Sequence, residues 1–365
     1  MRRCTMVLGV ASLVLAVGSA KADVFNMGGT RDPMTGVWTG MASLEFVTVG
    51  DPGNAADTTM MVWDGSSGYG PVGYVYQMGK YDVTVGQYCQ FLNAVAKTDT
   101  YGLYASGMAT DMPTVEITQS GSSGSYAYAV TGSYAQAANC PIFCVTWGDA
   151  ARFCNWLQNR QPVGPEGSGT TETGSYTLNG ATSVSDLMAV TRNAGAKYVI
   201  PTENEWYKAA FYKGGGINAG YWTYPTQSNT APINILSSLG TDNANFLDTS
   251  KPGNSGHTDP VNYLTPVGAF SDSPGPYGTY DMGGDVWQWN ETPMAGGSSR
   301  SMRGGNYNAY YGLLGSYSRY NSDPTFENNS MGFRVAVVPE PSTLVLLGIG
   351  AVSLLGYGWQ RRRAR

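Results

Sequence analysis

Hydrophobic positions along the chain fall into short segments that predict helices and strands. Residues 85–96 predict a helix that packs on a core, since their apolar side chains recur at helical spacing: Tyr88, Phe91, Leu92 and Val95. Thr84 directly precedes this segment and is a favourable N-cap residue. The residues before it, 76–84, predict a strand, and residues 44–49 predict another.

Two further helices and two hairpins are predicted downstream. One helix starts after Thr146, where apolar side chains again share a face: Ala150, Phe153, Cys154 and Leu157. The other starts after Thr202, and Glu205 completes a capping box. Residues 121–138 and 167–183 alternate Gly and Ser with Tyr, Val or Leu, which predicts hairpins inserted between the helices.

The N-terminus has the order of a secretory signal peptide. Two arginines precede an apolar stretch over residues 6–17, and Ala20 and Ala22 are the small residues that a signal peptidase recognises. We therefore expect residues 1–22 to be removed and the mature chain to begin near Asp23.

The C-terminus predicts a membrane anchor. Residues 342–359 form an apolar run of eighteen residues, at the short end of what spans a bilayer, and an arginine cluster follows. Pro339, Glu340 and Pro341 directly precede the run. This order resembles the PEP-CTERM sorting signal of exported bacterial proteins. The resemblance implies that residues 338–365 anchor the chain, that export and sorting machinery is a partner, and that the protein lies in the cell envelope or outside the cell.

Charge excludes one class of partner. The chain has 21 Lys and Arg, of which seven lie in the two terminal segments, so 14 face 26 Asp and Glu over residues 23–343. The resulting charge of about −12 predicts that nucleic acid is not a partner, because phosphate binding needs a basic surface.

Four cysteines remain after removal of the signal peptide: Cys89, Cys140, Cys144 and Cys154. An even number in an oxidising compartment permits two disulfides, and buried free thiols are the alternative. The Cys-x3-Cys pair lacks supporting histidines, so it is a poor zinc signal. The single histidine, His257, lies in a polar loop and is expected to be solvated.

Six segments in order resemble the formylglycine-generating enzyme family, also called the sulfatase-modifying factor domain. They are residues 79–84, 145–157, 200–206, 278–289, 303–307 and 332–335. The resemblance implies an α+β fold: one irregular domain over residues 72–337, related to a duplicated C-type lectin core. Residues 23–71 then form a lead-in segment.

The resemblance also identifies where the family holds copper. Family members oxidise a substrate cysteine to formylglycine with oxygen and a copper ion, held by cysteines four and nine residues beyond the second glycine of a Gly-Gly motif. Counted from Gly305, these positions are Ala309 and Leu314, and no cysteine follows Cys154. Because Cu(I) requires thiolates, we predict that this oxidase activity is absent. No copper, haem or nucleotide cofactor is expected.

Calcium is the cofactor that the resemblance still implies. Asn245, Asp285 and Gln288 fall where family calcium ligands lie. Gln288 replaces the usual glutamate and removes a charge, but Ca²⁺ also accepts amide oxygens. The alternative is that these residues only cap turns.

Three functions follow from the sequence. The first is an exported, membrane-tethered binding protein for extracellular polysaccharide or peptide, with exposed aromatics that stack on the ligand: Tyr307, Tyr310, Tyr311, Tyr317 and Tyr320. The second is an enzyme with a different, copper-independent reaction, for which Asp281, Arg303 and Arg319 are the polar cleft candidates. The third is a structural envelope or matrix protein that uses the Gly/Ser/Tyr hairpins.

Overall fold

The computed structural model describes residues 25–237, 240–294 and 296–339. Within these residues the helices are α1 (Val85–Val95), α2 (Gly107–Thr110), α3 (Trp147–Gln158), α4 (Val184–Ala189) and α5 (Glu203–Phe211). The strands are β1 (Thr30–Arg31), β2 (Trp38–Thr39), β3 (Phe46–Val49), β4 (Tyr76–Gly79), β5 (Ile117–Ser120), β6 (Ala127–Val130), β7 (Tyr198–Val199), β8 (Trp287–Pro293), β9 (Arg300–Arg303), β10 (Tyr320–Ser322), β11 (Met331–Gly332) and β12 (Ala336–Val337). The architecture is mixed α+β, as the sequence predicts.

None of the helices in the described part of the chain has the length and apolar character needed to cross a membrane. The predicted signal peptide, the predicted membrane anchor, and Glu340 and Pro341 of the sorting tripeptide all lie outside the described residues.

Two four-stranded sheets organise the fold. One has the order β3-β4-β12-β7, and the other has the order β10-β9-β8-β11. In the first sheet, Met78 of β4 pairs with Val47 on one side and with Ala336 on the other. The segment 23–71 thus supplies the edge strand β3, which pairs with β4, and β4 in turn pairs with the C-terminal strand β12. It is part of the same fold rather than a separate extension.

The three predicted helix starts are confirmed. Thr84, Thr146 and Thr202 are the N-caps of α1, α3 and α5, and each forms a complete capping box with the residue three positions later. In such a box, two backbone N–H groups that the helix leaves unpaired are satisfied by side chains. Local sequence is sufficient to fix these boundaries.

The two predicted hairpins have different outcomes. β5 and β6 form an antiparallel hairpin over residues 117–130, which confirms a hairpin at the first predicted stretch, although it starts before residue 121 and ends before residue 138. The prediction for residues 167–183 is wrong, because only an isolated bridge joins Thr173 and Thr177 there. The Asn155 side chain instead bonds the Thr171 carbonyl and the backbone of Tyr176, so side chains of α3 take the place of a strand ladder.

An aromatic core joins α1 and α3. The rings of Phe91 and Phe153 lie 5.3 Å apart edge to face, and Phe153 makes the same contact with Phe333 of the C-terminal motif. The four cysteines are buried, and no disulfide joins them within the described residues: Cys89, Cys140, Cys144 and Cys154. They are therefore the buried thiols of the second alternative, and burial raises the pKa of each one.

Candidate functional site

A left-handed turn follows β9 at Gly304 and Gly305, whose φ angles are +104° and +74°. A Cβ atom on Gly305 would lie 2.8 Å from Cδ1 of Leu314 and 3.2 Å from the backbone of Leu313. Glycine is therefore needed twice over, for its conformation and for the close approach of residues 313–314. We call this feature the Gly-Gly turn.

The two positions at which the family resemblance expects copper ligands are apolar and buried. Ala309 and Leu314 are 7% and 1% exposed. Leu314 packs in a small cluster with Tyr224, Ala244 and Phe246. Neither an alanine nor a leucine side chain can supply a thiolate, carboxylate or imidazole ligand, so these two side chains do not fit copper.

A pocket of about 270 Å³ opens beside the Gly-Gly turn. Residues from three separate parts of the chain line it, including Trp63, Trp287, Asn306, Arg319, Tyr320 and Asn328. Asn306 directly follows Gly305, and Leu313 forms another part of the wall. We call this cavity the aromatic pocket.

Aromatic rings stand on two sides of the aromatic pocket. The rings of Trp287 and Tyr320 are stacked, with centroids 5.2 Å apart and planes 25° apart. Trp287 is buried, whereas Tyr320 is 47% exposed and Trp63 is 73% exposed. Exposed aromatic rings beside a concavity are typical of ligand-binding surfaces.

Trp63 is held in place by a tight turn. The N–H of Met61 donates to the Ser66 carbonyl at 2.7 Å, and the N–H of Gly65 donates back to the Met61 carbonyl at 3.0 Å. Asp64 forms an ion pair of 3.0 Å with Arg319, while Met61 is buried in the core. The exposed Trp63 ring is therefore carried on an anchored backbone.

A buried ion-pair network supports the floor of the aromatic pocket. Glu203, at the start of α5, pairs with both Arg303 and Arg319. Both guanidinium groups also lie over the ring of Tyr69, at 4.9 Å and 5.0 Å from its centroid. Burial lowers the pKa of Arg303, although the charge of Glu203 opposes this effect. Asp64 also pairs with Arg319, so the network contains two arginines and two carboxylates.

The predicted polar cleft set separates into two groups. Arg303 and Arg319 are brought together through Glu203, as described above. Asp281 instead accepts a hydrogen bond from the N–H of Gly268 at 2.6 Å and is not among the residues that line the aromatic pocket. Its negative charge adds to burial in raising the pKa of Asp285. These residues do not assemble a pair of reacting groups at the pocket.

Two residues of the predicted calcium set lie together. Asn245 Nδ2 donates to Asp285 Oδ1 at 2.7 Å, and Thr265 donates to both oxygens of Asp285. Asn245 Oδ1 is buried, and no described residue donates a hydrogen bond to it. Gln288 is engaged elsewhere, since its Oε1 accepts from Trp206 and from the cationic Arg334. Asn245 thus fits an oxygen ligand, whereas Gln288 beside a guanidinium does not.

Sequence reasoning missed most of the aromatic pocket. Trp63 lies in the segment 23–71, where no periodic pattern marks it, and Asn328 lies in a polar loop. Of the tyrosines proposed to stack on sugars, Tyr320 lines the pocket, Tyr307 is buried, and Tyr310 is exposed outside it. A lone tryptophan followed by Asp-Gly-Ser-Ser-Gly, a turn sequence, was the available signal.

Glu327, next to Asn328 in the pocket wall, gives a pH-dependent prediction. Burial raises the pKa of Glu327 from 4.5 to about 8, and the charges of Asp149 and Asp111 add to this effect. The folded chain therefore holds a proton that the unfolded chain loses above pH 4.5. The free energy of unfolding should fall as pH rises from about 4.5 to about 8.

The change Glu327→Gln should remove this dependence. Chemical denaturation at pH 5 and pH 8 is the measurement, and each protein is its own control. We expect near-equal stability of the two proteins at pH 5 and a more stable variant at pH 8. A variant that loses as much stability as the parent between these pH values would contradict the assignment.

Comparison with known proteins identifies the families that this chain matches. The sulfatase-modifying factor enzyme 1-like domain matches residues 72–338, and the PEP-CTERM protein-sorting motif matches residues 337–363. No curated protein matches the chain. The sorting motif means that the protein is exported, is associated with the cell envelope, and interacts with the sorting machinery.

Several solved structures are similar at low identity. CarF is 19% identical over 81% of this chain and 98% of its own, with a TM-score of 0.46. PvdO from Pseudomonas aeruginosa is 17% identical over 81% of this chain and 95% of its own, with a TM-score of 0.43. Variable protein 1 of Treponema denticola is 17% identical over 82% of this chain and 96% of its own, with a TM-score of 0.39. Because the family match covers most of the chain, this protein belongs to the sulfatase-modifying factor enzyme 1-like family.

Proposed function

We propose that this chain is a ligand-binding member of the family that does not carry out copper-dependent oxidation. The observation that carries the proposal is the pairing of two features at the Gly-Gly turn. Ala309 and Leu314 are buried apolar residues at the family's copper positions, and the adjacent pocket presents exposed aromatic rings. The chain would act at the cell surface or in the matrix, tethered through residues 342–359 before any processing of its tail. We also propose that the domain over residues 72–337 is related to a duplicated C-type lectin core.

The remaining thiols do not substitute for the missing pair. All four belong to the large core around α1 and α3, whereas Leu314 belongs to a different cluster. Burial raises the pKa of each thiol, which disfavours the thiolate that Cu(I) requires. A copper-independent enzyme is less well supported, because Arg303 is committed to Glu203 and Asp281 lies outside the pocket.

A Cu(I) competition titration tests the proposal. The full chain is titrated anaerobically against a chromogenic Cu(I) chelator. We expect the folded chain to leave the metal on the chelator. The same chain unfolded in guanidinium, with its thiols exposed, should withdraw it and so serves as the positive control. Withdrawal of one equivalent by the folded chain would contradict the proposal.

We further propose that Ca²⁺ binds beside Asn245 and Asp285, which is supported by the unpartnered Oδ1 of Asn245. A cation bound only to the folded state raises its stability, by about 2.7 kcal/mol at a hundred times its dissociation constant. We expect millimolar Ca²⁺ to raise the melting temperature relative to EDTA, and Asn245→Ala to abolish the difference. Equal melting temperatures of the parent chain in Ca²⁺ and in EDTA would refute the site.

A further inference from the structure

We infer that the aromatic pocket binds a neutral pyranose unit of an extracellular polysaccharide. This inference rests on the proposed function and names its ligand class. Three properties of the pocket carry it: exposed rings, unpaired hydrogen-bond donors and a balanced charge.

The exposed rings suit the apolar face of a sugar. One face of Tyr320 is covered by Trp287, yet 47% of the residue stays exposed, and Trp63 is 73% exposed. The C–H groups of a pyranose form a flat apolar surface that packs on such rings. Since the turn at residues 61–66 fixes the backbone of Trp63, little backbone freedom is lost when a ligand covers the ring.

Unpaired donors line the same cavity. Asn306 Oδ1 accepts from the N–H of Asn308, and Asn328 Oδ1 accepts from Ser330, but within the described residues neither Nδ2 atom has a partner. Arg319 Nε is buried, and it likewise has no partner in the part of the chain that the structure describes. Asn306 and Arg319 are each only 9% exposed. Donors that lack partners in a concavity favour a ligand rich in oxygen acceptors, such as sugar hydroxyl and ring oxygens.

Charge selects a neutral sugar over an acidic one. Arg319 is already paired with Asp64 and Glu203, so its charge is not available to a carboxylate ligand. Residues 23–343 carry a charge of about −12, which repels polyanions. A cavity of about 270 Å³ is at the lower end of ligand pockets and fits one sugar unit rather than a folded partner.

Binding of defined oligosaccharides tests the inference. The full chain is purified in a zwitterionic detergent, because alkyl glycoside detergents would compete. Neutral hexasaccharides of glucose, galactose and mannose, a hexuronate hexamer and a neutral hexapeptide are compared by calorimetry. We expect at least one neutral hexasaccharide to bind and the hexuronate to bind at least tenfold more weakly.

Two matched variants locate the site. Trp63→Ala should weaken the binding of that hexasaccharide at least tenfold without lowering stability, since the ring is mostly exposed. Tyr310→Ala removes a ring that is 47% exposed but does not line the pocket, and it should leave affinity unchanged. Equal losses in the two variants would overturn the assignment.

The experiments distinguish a wrong ligand class from a wrong proposed function. Binding of the peptide but not of any hexasaccharide would overturn the sugar inference and leave a non-oxidising binding protein. Tighter binding of the hexuronate than of the neutral sugars would overturn the inference of a neutral ligand. Withdrawal of Cu(I) from the chelator would overturn the proposed function, whatever the sugars do.

Discussion

Glu203→Ala is expected to lower the free energy of unfolding by about 3–5 kcal/mol. Glu203 is 1% exposed and is paired with Arg303 and Arg319, which are themselves buried. Removing its carboxylate leaves two guanidinium groups that keep the cost of desolvation and lose a shared counterion. Among the described residues, Arg303 then keeps the carbonyls of Ser316 and Ser318 as its acceptors. Denaturant unfolding of the full chain measures the loss.

The control is an exposed ion pair. Asp248 and Lys251 are 3.3 Å apart at the surface, so Asp248→Ala should leave stability almost unchanged. If Glu203→Ala and Asp248→Ala were equally stable, the ion pairs of Glu203 would not stabilise the fold beside the aromatic pocket. Because Glu203 also fixes Arg319, we expect Glu203→Ala to weaken ligand binding, whereas Asp248→Ala should not.

Gly284→Ala is expected to destabilise the chain by about 3 kcal/mol. Gly284 has a φ of +96°, and a Cβ atom there would lie 2.1 Å from the carbonyl oxygen of Asn245. The strand-like bridge between these two residues would have to open, and the contact of Asn245 with Asp285 would change with it. The melting temperature and Ca²⁺ response of the variant are the measurements.

Gly124→Ala is the control that separates the cost of a strained backbone conformation from the cost of a steric clash. Gly124 has a φ of +93°, and no heavy atom lies within 4 Å of an added Cβ. Its substitution should cost only the strain of the left-handed backbone, roughly 1–2 kcal/mol. Equal costs at both glycines would show that the close approach of Asn245 does not matter.

The parts of the fold that depend on local sequence were predictable. A threonine followed by an acceptor or donor three residues later fixes each capping box, so α1, α3 and α5 start where expected. Long-range pairing was not predictable. The placement of β3 beside β4 depends on partners that are distant in sequence, such as Val47 and Met78, which are 31 residues apart, and no periodic pattern encodes this contact.

The candidate site was predictable only in part. Motif spacing placed Ala309 and Leu314, and the structure describes both as buried. The pocket beside them could not be derived, because Trp63, Trp287 and Tyr320 come from distant segments that meet only in the folded chain. The hairpin predicted at residues 167–183 failed for a related reason, since Asn155 of α3 satisfies that backbone instead of a partner strand.

We propose that the Gly-Gly turn of this chain supports ligand binding and not copper-dependent oxidation. Its most direct test is mass spectrometry of a cysteine-containing sulfatase peptide after incubation with the full chain, Cu(I) and oxygen. We expect the peptide cysteine to stay unconverted at every time point. Time-dependent conversion of that cysteine to formylglycine, dependent on Cu(I), would contradict it.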